Sequence, residues 1–271
     1  MPAVPPFFSG ADSKPEPWIS SAARRMLPVL GTPIDIITSA AAVLRISSWA
    51  QRGESRVVCI CNAHSVVTAS KDPAFARVLA EADMATPDGA PVAWMLRRQG
   101  ASTQQRVSGP DLMADYMTHA VAVGEAVFLL GSAEDTLTRL QTHLLARWPS
   151  LRIAGAISPP FRGLSAQEDE AIVARINGSG AGTVWVSLGC PKQEQWMADH
   201  RGRINAVMLG VGAAFDFHAG TVARAPTWMR NNGLEWLHRL YSEPGRLWRR
   251  YLTTNLIFIA KAARQLRRGQ A

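Results

Sequence analysis

Long apolar runs are missing from this 271-residue chain. No segment reaches the roughly 18 apolar residues that a membrane-spanning helix needs. The longest candidates, at 207–217 and 256–263, are too short, so no span is expected. Cysteine is scarce as well: Cys59, Cys61 and Cys190 form an odd set with no Cys-x-x-Cys pair. That excludes a disulfide framework and a zinc cluster, and it fits a reducing compartment. The N-terminus has no basic segment followed by an apolar stretch, so it does not read as a signal peptide. Its prolines predict a disordered leader over 1–30. No internal repeat of solenoid period is present.

Motifs that announce chemistry are missing too. There is no Asp-x-Asp, no His-Glu-x-x-His and no Gly-x-Ser-x-Gly. Gly210-Val211-Gly212-Ala213-Ala214-Phe215 imitates a dinucleotide fingerprint but has no third glycine, and it lies near the end of the α/β part with no second βαβ half after it. It reads as a closely packed strand-to-loop turn, so a nicotinamide-dependent oxidoreductase is disfavoured. Asp216-Phe217-His218 is too little for a metal site, and Cys190 has no evident histidine partner. No metal and no cofactor are expected.

Acids are scarce where the chain ends. Residues 224–271 hold ten Lys/Arg and two acids, Glu235 and Glu243, which accounts for the whole net charge of +8. Trp228, Trp236, Trp248, Tyr241, Tyr251 and Phe258 are interleaved with those cations. A neutral body with a basic, aromatic tail suits an anionic surface or ligand. From Trp248 onward, Leu252, Leu256, Ile259, Ala263 and Leu266 recur every three or four residues, with most cations off that row. Such a helix lies in an anionic membrane interface or docks its apolar row on the body; the lack of balancing acids favours the membrane. A non-catalytic membrane or nucleic-acid binder is the alternative function class, although confinement of the charge to one end argues against a general nucleic-acid coat.

What is present between these features is a rhythm. Short apolar, β-branched runs predict strands at 56–62, 83–86, 126–130, 151–157, 183–188 and 206–210. Helical patterns fall between them at 72–82, 91–99, 110–122, 133–147 and 166–176, with another opening at Cys190-Pro191. Asp72 and Pro73 read as a helix N-cap and first position. In the tail a helix at 235–240 is broken by Pro244-Gly245, where the next one starts. Strands alternating with helices of this length predict a Rossmann-like, mostly parallel sheet with helices on both faces. The expected organisation is a leader over 1–30, an α/β catalytic domain over 31–226 and a basic helical appendage over 227–271.

Open sheets of this kind bind ligands at the carboxyl ends of their strands. Asn62, Asp88, Gly131-Ser132, Gly189 to Gln193, and Gly212 sit there. Asp88 before Gly89 is a turn signal first, but a desolvated carboxylate at a strand end near Arg97, Arg98 and Arg106 can also act as a general base. Gly189, followed by Pro191, Lys192 and Gln193, is a strand–Gly–helix loop whose free N–H groups suit phosphate, and Gly131-Ser132 and Gly212 are weaker examples of nucleotide-binding loops.

Taken in order, "ATPDGAPVAW", "RVSGPDL", "FLLGS", "VSLGCPKQEQWM", "GVGAAFDFHAGTVARAPTWM" and "GLEWLHRLYSEPGRLWRRY" resemble the WecG/TagA/CpsF glycosyltransferases (family 26) over roughly residues 35–255. The resemblance implies an inverting transferase. It would move a hexose or N-acetylhexosamine from a UDP-sugar to a polyprenyl-diphosphate-linked saccharide in cell-surface polysaccharide synthesis, working from the cytoplasm as a peripheral protein on the inner face of the cell membrane. It implies Asp88 as general base, Asn62, Arg106 and Gln193 as substrate contacts, and Arg239, Arg246 and Arg249 as appendage arginines. Ile60 stands where the family usually has Thr, which bears on sugar specificity. With no Asp-x-Asp for a metal, the charge on the departing diphosphate falls to arginines and helix N-termini. An anionic membrane surface is an expected partner, nucleic acid is not, and a homo-oligomer is left open.

Overall fold

The computed structural model describes residues 24–242 and 244–269; residues 1–23 of the expected leader lie outside them. The chain opens with an antiparallel hairpin, β1 (Met26–Val29) and β2 (Thr32–Asp35), so the end of the segment expected as leader forms a strand. Buried Asp35 holds the hairpin to the body, accepting hydrogen bonds from Arg24 (2.8 Å) and from the Ala85 amide (2.6 Å). Helix α1 (Ser39–Gln51) follows, capped by Thr38.

The body runs β3 (Arg56–Cys61), α2 (Ala63–Ala69), α3 (Pro73–Glu81), β4 (Met84–Pro87), α4 (Gly89–Arg98), α5 (Gly109–Val123), β5 (Ala126–Gly131), α6 (Glu134–Arg147), β6 (Arg152–Ile157), α7 (Ala166–Gly178), β7 (Thr183–Ser187), α8 (Lys192–Asp199) and β8 (Val207–Gly210). All six predicted strands form, and Asp72 caps α3 with Pro73 at its first position, as the sequence predicts. The hairpin, α1 and α2 are additions that the sequence reading does not make.

The six strands pair in parallel in the order β4-β3-β8-β7-β5-β6. The strands read as continuous apolar runs because both faces are covered. Alternate residues feed two cores: Val57, Cys59 and Cys61 of β3 join the core under α2, α3, α4, α7 and α8, while Val58 and Ile60 join the one under α1, α5 and α6.

After β8 come three short helices, α9 (Ala214–His218), α10 (Thr227–Asn231) and α11 (Glu235–Ser242), and then the long α12 (Pro244–Arg268). Helix α12 docks through a row one step round from the row singled out in the sequence. Thr254, Phe258 and Ala262 are buried; Phe258, at 4% exposure, belongs to the same core as α3 and α4. Burying one phenylalanine contributes about 1.5–3 kcal/mol. Lys261 Nζ donates to Ser70 Oγ (2.7 Å), and Gln265 clamps the hairpin through the Leu30 amide and the Pro28 carbonyl. Trp248, Leu252, Leu256 and Ile259 stay exposed.

Candidate active site

The parallel register sets the first two site residues side by side. Cys61 of β3 is level with Pro87 of β4, so Asn62 and Asp88 leave the sheet together. Asn62 caps α2: its Oδ1 accepts the amides of His64 (3.0 Å) and Ser65 (3.2 Å). That fixes the amide so that Nδ2 donates towards Asp88 Oδ2 at 3.5 Å. Asp88 occupies the N-cap position of α4 but makes no capping bond, which leaves its carboxylate facing the cavity. Gly89 has φ +77°, a conformation that a side chain resists, which explains the Asp-Gly pair. Burial pushes the Asp88 carboxyl up to about 6; the nearby Glu235 and Asp111 add to this, and Arg106 and Asn62 oppose it.

Behind Asp88 lies a net of ion pairs. Arg106 donates to Glu235 (2.8 Å) and approaches Asp111 (3.7 Å). Arg224 pairs with Asp111 at 2.7 Å and reaches Glu235 at 3.5 Å, and Arg230 approaches Asp111 at 3.6 Å. Glu235 opens α11, so this net fastens the start of the appendage to the body. The Arg224 contact and the Ser108 hydroxyl hold the Asp111 carboxyl below its ordinary value despite burial.

The opposite wall comes from β7 and β8. Gln193 and Glu194 are both buried, and Gln193 Nε2 donates to Glu194 Oε1 at 2.9 Å. Burial pushes the Glu194 carboxyl up. The Gln193 amide lies against Gly210, where an added Cβ would come within 3.1 Å of Nε2 and 2.7 Å of Met197 Cε. Gly210 is therefore small so that Gln193 and Met197 can pack on it, while Gly212 takes φ +50°, a conformation that a side chain resists; both support the close-packed-turn reading of that segment.

The appendage forms the roof. Arg239 of α11 lies 5.3 Å from the centroid of the Phe217 ring. Tyr251, Asn255, Ile259 and Ala263 of α12 continue the wall, and α4 faces them with Pro91, Trp94 and Arg98. The cavity, open on one side, measures about 760 Å³, enough for a nucleotide-sugar.

Asn62, Asp88, Arg106, Gly189, Gln193, Gly212 and Arg239 all line this one cavity. Ile60 lines it too, nearly buried at the end of β3. Lys192 is exposed at the start of α8 and is not among the lining residues. Gly131 and Ser132 also lie off the wall, at the end of β5; the Ser132 amide donates to the Ser187 carbonyl (2.9 Å), and Ser187 Oγ donates to the Gly212 carbonyl (2.9 Å). The side chains of Arg246 and Arg249 fall outside the described residues. His218 makes a 2.9 Å contact with the Pro110 carbonyl, a packing role. Among the described residues no three His, Cys, Asp or Glu side chains group as a metal site. Glu235, Glu194, Trp94 and Arg98 are the lining residues that the sequence reading passes over as site residues. Their one signal was adjacency to motifs already marked.

A family model, the glycosyl transferase WecG/TagA/CpsF family, matches residues 27–271. The chain belongs to this family and is a glycosyltransferase of cell-surface polysaccharide synthesis. The family uses nucleotide-sugar donors and lipid-linked acceptors in general. Among the described residues no helix is long and apolar enough to cross a membrane.

Proposed function

We propose that this chain transfers a hexose or N-acetylhexosamine from a UDP-sugar to a polyprenyl-diphosphate-linked saccharide, with inversion and without a metal. The observation that carries the reading is Asp88: a carboxylate with no capping duty, on the wall of the cavity, with its pKa raised to about 6. Ionised at neutral pH yet more basic than an ordinary aspartate, it suits a general base. It takes the proton of the acceptor hydroxyl while that oxygen attacks the anomeric carbon, and UDP leaves from the opposite face in one displacement. Asn62 steadies the carboxylate. Arg106 and Arg239 meet the charge growing on the diphosphate, joined by Arg246 and Arg249, and Gln193 contacts the donor.

In this reading residues 31–226 form the catalytic domain and 227–271 an appendage that both completes the site and attaches it to the membrane. The exposed row of α12 supports that second role. Leu252, Leu256 and Ile259 are 55%, 60% and 64% exposed on a helix rich in cations. That suits peripheral attachment to the anionic inner face of the cell membrane.

The test is a panel of UDP-sugars with a synthetic saccharide-diphosphate-lipid acceptor, read by mass spectrometry with and without EDTA. Product of inverted configuration from a UDP-sugar, unaffected by EDTA, is the expected result. Loss of product in EDTA overturns the metal-independent reading, and product from no UDP-sugar overturns the donor assignment.

A further inference from the structure

From Asp88 the cavity runs outward as a trench between α4 and α12. Helix α4 starts at the catalytic carboxylate and presents Ala90, Trp94 and Arg98 to the trench, one residue per turn. At ~1.5 Å per residue, Trp94 lies about 9 Å and Arg98 about 15 Å beyond Asp88 along the helix. Helix α12 forms the other wall with Ile259, Ala263 and Leu266, over a floor of buried Phe258 and Ala262. Gln265 and Gln99, bonded at 3.2 Å, tie the two helices together at the outer end.

Three features of this trench lack a structural explanation. Trp94 is 42% exposed although it sits on a wall of the cavity. Among the described residues Arg98 makes no ion pair or hydrogen bond. On the α12 wall Ile259 is 64% exposed although it lines the trench.

We infer that this trench is the acceptor subsite. Trp94 forms a platform under the apolar face of the acceptor sugar, Arg98 binds the acceptor's diphosphate, and the α12 wall takes the first isoprene units on their way to the membrane. The order of chemistry along α4 matches the order of groups along such an acceptor: hydroxyl at Asp88, sugar at Trp94, diphosphate at Arg98, hydrocarbon against Leu266. An indole face suits the C–H surface of a sugar, and a guanidinium suits a diphosphate. The inference rests on the proposed transfer to a lipid-linked diphosphate, and it separates the acceptor's cation, Arg98, from the donor's arginines.

Calorimetric titration with an N-acetylglucosamine diphosphate bearing a short isoprenoid chain, in detergent, tests the trench without turnover. Trp94→Ala and Arg98→Ala are each expected to weaken binding about tenfold, with UDP affinity unchanged and Arg98→Lys partly restored. The loss in Arg98→Ala is expected to shrink when an alkyl glycoside without diphosphate replaces the ligand. Both positions are exposed, so thermal unfolding is expected to match the parent. No binding to the parent protein, or equal binding to parent and both variants, overturns the inference. Transfer assays run alongside judge the reading beneath it: binding that depends on Trp94 and Arg98 without transfer from any UDP-sugar upholds the trench and overturns the donor assignment.

Discussion

Arg106 and Glu235 are 129 positions apart in the chain and joined by a 2.8 Å ion pair beside the Asp88 carboxylate. The pair does two things at once. It fastens the first turn of α11 over the cavity, and it sets a negative and a positive neighbour on Asp88, one raising and one lowering its pKa. Helix α11 therefore tunes the Asp88 carboxyl as well as covering it.

Asp88→Asn keeps the shape of the site and removes the proposed base. Transfer is expected to fall by about 10²- to 10⁴-fold while UDP binding persists. In the proposed mechanism the active form is the carboxylate, so kcat/KM is expected to fall as pH drops through about 6. A pH profile checks this: an acidic limb lying near the ordinary aspartate value of 3.8 would refute the assigned environment.

The same raised pKa has a stability consequence. The neutral form of Asp88 is favoured in the folded protein, so ionisation costs stability. The cost is absent below about 4, grows between 4 and 6, and is complete above 6. Asp88→Asn is expected to be more stable by about 1–3 kcal/mol at pH 8, with the gain vanishing below about pH 4. Denaturant unfolding at the two pH values measures the difference.

Glu235→Gln removes the negative neighbour and leaves Arg106 more strongly positive towards Asp88. The acidic limb of the pH profile is expected to move to lower pH. Arg106→Ala moves it to higher pH and raises KM for the donor. Shifts in the same direction for the two variants would contradict the opposing roles of this pair.

Leu252 and Leu256 are exposed and touch neither core, so replacing both with Asp is expected to leave thermal unfolding within about 0.5 kcal/mol of the parent. Flotation with vesicles of anionic phospholipid is expected to show binding weaker by about tenfold or more. Undiminished flotation would remove α12 from membrane contact.

Much of the body was legible because its signals are local. The six strands are continuous apolar runs, and Asp72-Pro73 announces a helix start through capping and a fixed φ. The missed elements carry weak signals. Strands β1 and β2 are four residues each and contain Pro28 and Pro33. Helix α2 is seven residues long and begins without a spacer after β3, where its cap, Asn62, doubles as a site residue.

The tail shows the limit most clearly. Sequence periodicity finds an apolar row at Trp248, Leu252, Leu256 and Ile259, and a second row at Thr254, Phe258 and Ala262 is equally regular. Only packing decides that the second row is buried and the first left exposed, because burial depends on the surface presented by α2 and the hairpin.

The sequence by itself determined the alternating α/β order, the strand-end residues Asn62, Asp88, Gln193 and Gly212, and the basic appendage, since each rests on composition or on residues close together in the chain. The tertiary structure alone decided that Cys61 stands level with Pro87, that Glu235 reaches Arg106, and that α4 and α12 flank a trench. Those relationships join positions far apart in sequence. They follow from strand register and helix docking, where the free energy of burial, and not any local pattern, selects the partner.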